Sequence, residues 1–77
     1  MESNEYLGLM LRAVRQDATY SSQRQAWITP MLNARLFFQE RLDECPAEFS
    51  SLNEAIEEGA RRGLWEMDAA TDVLLMK

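Results

Sequence analysis

The sequence predicts an all-α fold, a compact domain over residues 1–77 built from three to four helices. Three observations carry that expectation. Apolar residues recur at helical rather than alternating spacing along most of the chain. Helix start and stop signals, namely Ser3, Thr29-Pro30, Cys45-Pro46 and Gly63, punctuate those stretches. The one stretch open to reading as a β-hairpin, at the C-terminus, has no glycine in its loop.

The first helix is predicted from about Asn4 to Gln16. Ser3 stands at its N-cap and Glu5 lies near the positive end of the helix dipole. At 100° per residue Tyr6, Leu7, Met10, Leu11 and Val14 share one arc, with Glu5, Arg12, Arg15 and Gln16 opposite. Asp17–Ser22 reads as a loop, rich in residues that bond their own backbone. Ser21 or Ser22 then caps a helical segment from Gln23 to Ile28. Thr29-Pro30 is itself a helix start signal, but Trp27 lies in phase with Met31, Ala34, Phe38 and Leu42. That phase favours one helix over 22–44, kinked at Pro30, rather than two.

Residues 30–44 are the most apolar part of the chain. Besides the main stripe, Leu32 and Leu36 form a second row and Phe37 projects in another direction. Two readings follow. Either this is a central helix covered by its neighbours, or Phe37 or the Leu32/Leu36 row meets another chain.

Cys45-Pro46 ends that helix and opens the next, because the residue before proline is driven from helical angles and proline suits a first turn. Phe49, Leu52, Ile56 and Ala60 give a clean stripe from Ala47 to Arg62, supported by the i,i+4 pairs Glu57–Arg61 and Glu58–Arg62. Gly63 is placed to close the helix. The eight residues Cys45-Pro46-Ala47-Glu48-Phe49-Ser50-Ser51-Leu52, a proline-initiated segment with Phe and Leu three apart, resemble the second helix of the small helical-hairpin co-chaperones of type III secretion needles. The resemblance implies helix there and transfers no function. Over 64–77, a short helix Ala69–Met76 capped by Asp68 is preferred, since neither Leu64–Met67 nor Asp72–Met76 alternates cleanly. A short hairpin around residues 68–71 is the alternative.

Composition narrows the function. Apolar residues make up 47% and charged residues 27% of the chain, which is a globular rather than a disordered balance. So small a domain buries little core and commonly needs a disulfide, a metal or a partner. Cys45 is the only cysteine and there is no histidine, so an internal disulfide and a structural zinc are both excluded. Association with another chain remains. The acidic N-terminus and the lack of a long apolar run predict neither a signal peptide nor a membrane span, and one unpaired cysteine fits a cytoplasmic location.

Catalysis is not expected, nor any cofactor. Without histidine there is no triad and no imidazole base. Cys45 follows Asp43 and Glu44, which disfavour a thiolate, so it reads as a small hydrophobe. Asp68 and Asp72 lack the pattern of a calcium loop, and no glycine-rich phosphate loop is present. Direct nucleic-acid binding is disfavoured because Glu48, Glu54, Glu57 and Glu58 repel phosphate.

What remains is a non-enzymatic protein–protein interaction module, such as a small adaptor, chaperone-like subunit or inhibitor, whose partner is another protein or a second copy. The predicted contact residues are Leu32, Leu36 and Phe37, the small residues Ala55, Gly59 and Gly63 that recur every four positions, and Trp65. Small residues at that spacing also suit a tight contact within the chain, and Trp65 also suits a core plug. The runner-up is an acidic inhibitor that mimics nucleic acid through Glu54, Glu57, Glu58, Glu66 and Asp68. The net charge of −5 has the right sign for it, but arginines are interspersed among the acids.

Overall fold

The computed structural model describes all 77 residues, and its first element follows the expected pattern closely. Helix α1 spans Ser3–Asp17 and buries Tyr6, Leu7, Met10 and Val14. Its N-cap is Glu2 rather than Ser3. The Glu2 carboxylate accepts the Asn4 backbone N–H at 2.9 Å, and that bond holds its pKa below the usual range.

Residues 19–30 overturn the all-α expectation. Strands β1 (Thr19–Ser21) and β2 (Ala26–Pro30) pair antiparallel, with Tyr20 opposite Trp27 and Ser21 opposite Ala26. Two physical reasons decide it. Pro30 bars Thr29 from helical angles and would have no N–H to continue a helix through itself. Trp27, Ile28 and Thr29 are also aromatic or β-branched, which suits a pleated, half-buried surface. The helix expected over 22–44 therefore shrinks to α2, Met31–Glu40, with Pro30 at its N-cap. The in-phase placing of Trp27 and Met31 is a coincidence of spacing across an element boundary.

After α2 the chain makes a 3-10 turn at Leu42–Glu44 and an irregular stretch to Ser51. Helix α3 spans Leu52–Arg61, starting five residues after the expected Ala47. Its start is set by a reciprocal cap. Ser51 Oγ accepts the Glu54 N–H at 3.2 Å, while the Glu54 carboxylate accepts the Ser50 N–H at 3.2 Å. Of the segment that resembles a co-chaperone helix, only Leu52 is helical. The C-terminus of α3 behaves as expected. Gly63 takes φ +79°, the Gly63 N–H bonds Ala60 O and the Leu64 N–H bonds Gly59 O, which together make a Schellman motif.

The preferred C-terminal helix is likewise replaced by strands, β3 (Glu66–Asp68) and β4 (Val73–Met76). Asp68 does act as a cap, but of a turn: its Oδ1 accepts the N–H groups of Ala70 and Thr71 at 3.0 and 3.3 Å. The two hairpins join through β2 and β4 into one antiparallel sheet of order β1-β2-β4-β3. The chain is thus a small α+β domain of three helices and a four-stranded sheet.

Alternation along the strands separates two sheet faces. Leu74 and Met76, opposite Thr29 and Trp27, face the helices and enter the core with Met31, Ala34, Phe38, Ala55 and Ile56. Tyr6, Phe38 and Trp65 form a chain of edge-to-face rings there, with centroids 6.1 and 5.9 Å apart. Ala26, Ile28, Val73 and Leu75 lie on the other face. Arg24 spans that face from the first turn, and its guanidinium meets Asp68 at 2.5 Å and the Thr71 hydroxyl at 3.4 Å.

Candidate interaction surface

Helix α2 turns Met31, Ala34 and Phe38 into the core, and this fixes what its other side shows. Leu32 and Leu36 are one turn apart on the outward side and are 66% and 54% exposed. Of the large apolar side chains, they include the most exposed one in the molecule, and they sit on a rigid element rather than a loop. Arg35 flanks the row toward α3, where its Nε donates to Asn53 Oδ1 at 3.3 Å. Glu40 flanks it on the other side. Phe37 is different: it is partly buried and packs against the core.

The small-residue side of α3 is occupied from within the chain. A Cβ at Gly59 would lie 2.0 Å from Trp65 Cζ2, so the indole rests directly on the helix backbone. Trp65 Nε1 donates to Ile56 O at 2.8 Å, a bond that uses its one polar group. Ala55 is fully buried beside them, and Trp65 is 5% exposed. Gly63 lies outside this contact and serves the helix end. The seven predicted residues thus fall into four groups: Leu32 and Leu36 outward, Phe37 between core and surface, Ala55, Gly59 and Trp65 within, and Gly63 as a cap.

Of the acidic residues Glu54, Glu57, Glu58, Glu66 and Asp68, three are engaged by neighbours. Glu58 accepts from both Arg62 and Arg61 at 2.8 Å, and these bonds lower its pKa. Glu54 is lowered by its bonds to Ser50. Asp68 is held at about 2 by the Arg24 guanidinium, with Thr71 adding a bond. Glu57 and Glu66 remain exposed, on α3 and β3 respectively.

The sequence reading missed two kinds of residue. One is the Arg24–Asp68 clamp, which needs two hairpins to be recognised before their turns can be brought together. The other is a pair of buried hydroxyls, Tyr6 OH and Thr29 Oγ1, neither with a hydrogen-bond partner. Burial, with the Cys45 thiol beside it, pushes the Tyr6 phenol well above its ordinary pKa. Cys45 itself is half-buried and packs against the core, as a small hydrophobe would. No helix is long and apolar enough to cross a membrane. No protein family, curated protein or solved structure matches this chain.

Proposed function

We propose that this chain is a non-enzymatic protein-interaction module that binds through the outward face of α2. The observation that carries the reading is the exposure of Leu32 and Leu36, 66% and 54%, on a helix whose opposite side is locked into the core. Burying two such leucines in a partner contributes roughly 3 kcal/mol before the costs of association. The row is preformed, so no ordering of the backbone opposes binding. Leu42, 43% exposed just beyond the helix, adds apolar area at its C-terminal end.

The acidic-mimic alternative draws less support. Glu58 and Asp68 are neutralised by arginines of the same chain, which leaves Glu54 and Glu57 on α3 and Glu66 on β3 without an ion pair. Such a surface lacks the run of unpaired charge that a nucleic-acid groove would recognise.

The two readings predict opposite responses. Immobilised wild-type chain and a Leu32→Asp/Leu36→Asp variant would be compared for protein captured from a cell extract at low and high salt. The apolar reading expects bound protein to be lost in the variant and to survive salt. Capture that ignores both leucines and vanishes with salt overturns it. Equal thermal melting of the two chains confirms that the variant is folded.

A further inference from the structure

Resting on that reading, we infer that the occupant of the α2 face is a second copy of this chain, paired parallel to the first about a two-fold axis. Leu32 and Leu36 sit at the spacing of successive core positions of a helix pair, d and then a of the next heptad. In that register Ala34 falls at the position farthest from the partner, and it is fully buried in its own domain. The helix therefore presents one seam inward and another outward. Gln39 continues the outward row by one turn.

Charge selects the partner and its direction. In the same register Arg35 takes a g position and Glu40 the following e position, on opposite flanks of the leucine row. A parallel pair brings g of one helix against the next e of the other, so Arg35 meets Glu40 of the second copy and the reverse pair forms symmetrically. An antiparallel pair would set arginine flank against arginine flank and glutamate flank against glutamate flank. Both charges are free for this use: the four ion pairs within the chain are Arg24–Asp68, Arg41–Glu44, Arg61–Glu58 and Arg62–Glu58. Arg35 holds only its neutral 3.3 Å bond to Asn53. A helix carrying its own complement on its two flanks recognises itself.

The seam is two to three turns long, so the dimer is weak and depends on concentration. Sedimentation equilibrium of the full chain from about 1 μM to about 1 mM spans the range expected of so small an interface. A monomer–dimer equilibrium is expected, abolished by Leu36→Asp. Arg35→Glu and Glu40→Arg should each weaken it about tenfold, since two symmetric attractions become repulsions. The double reversal Arg35→Glu/Glu40→Arg should restore it, and an equimolar mixture of the two single variants should form the mixed dimer.

A wild type that stays monomeric throughout overturns the second copy. So does a dimer indifferent to Leu36→Asp, or one that the double reversal fails to restore. The broader reading fails separately. If the wild type is monomeric but capture of another protein still depends on Leu32 and Leu36, only the self-pairing is lost. If capture is also indifferent to the leucines, both are lost.

Discussion

The two hairpins of this protein share a plan and differ in how they are secured. Each has a four-residue loop, Ser22–Gln25 in one and Ala69–Asp72 in the other, and each ends that loop on a non-glycine residue in the left-handed region. In the C-terminal hairpin that residue is Asp72, φ +56°, a type that tolerates the conformation, and Asp68 braces the turn with two backbone bonds. The N-terminal turn has Gln25 at φ +53° and one bond, from the Arg24 N–H to Ser21 Oγ at 3.2 Å. It makes up the difference at a distance, by sending Arg24 across the sheet to Asp68. One turn is locally determined; the other borrows its partner's anchor.

Their attachments to the helices differ in the same sense. The C-terminal hairpin is led in by Trp65, seated on Gly59 with its N–H satisfied by Ile56 O. The N-terminal hairpin is held by Trp27, which takes Tyr20 edge-on at 5.2 Å and the Arg15 guanidinium over its ring at 5.2 Å, on the partly exposed rim. Close packing that leaves no room secures the first. Looser, polarisable contacts secure the second.

Five substitutions would break or sharpen that contrast. The largest effect is expected from Gly59→Ala, whose methyl would collide with the buried indole. A loss of about 2–3 kcal/mol in urea unfolding is expected, after allowing for alanine's better helix propensity. A stable Gly59→Ala protein with unchanged tryptophan fluorescence would show that the C-terminal anchor is slack. Thr29→Val comes next. It removes the orphaned hydroxyl of β2 from the core and should raise stability by about 1 kcal/mol by the same measurement. A decrease would mean that the hydroxyl has a partner, such as a buried water.

Smaller is the gain of about 0.5 kcal/mol expected for Gln25→Gly, which relieves a strained left-handed residue at some cost in chain entropy. Asp72→Gly should gain less, and equal gains would erase the distinction between the turns. The last effect is confined to acid. Asp68 is lowered from 3.8 to about 2 in the folded chain, so its contribution is present above about pH 4 and is lost as pH falls through about 2. Asp68→Asn keeps a turn-capping side chain and removes the charge. Its stability should therefore fall less steeply than the wild type's across that window, and an identical profile would show that Arg24 adds nothing to the fold.

Legibility followed the range of the interactions. Helix α1, the stripe and glycine closure of α3, and the existence of a second apolar row at Leu32 and Leu36 were readable because helical periodicity is a local signal. The resulting prediction of an all-α domain failed at residues 19–30 and 66–76. There the strands are three to five residues long and take their stability from pairing across the chain. Trp27-Ile28-Thr29-Pro30 did carry a β signal, in its β-branched run and its proline. The helical phase of Trp27 with Met31 masked it. Trp65 and Gly59 were singled out separately as contact residues, but that they contact each other depends on β3 folding back against α3.

By itself the sequence determined where helices could start and stop, that neither disulfide nor histidine–cysteine zinc site could stabilise the domain, and that α2 would be apolar on more than one side. Tertiary structure alone decided which apolar side is spent inward. It also turned two glycine-free segments into hairpins and joined their turns through Arg24 and Asp68. The physical reason is one of range. Caps and periodicity act within a turn of helix, whereas a strand has no stable state until its partner, here up to 49 residues away at Trp27 and Met76, supplies the other half of its hydrogen bonds.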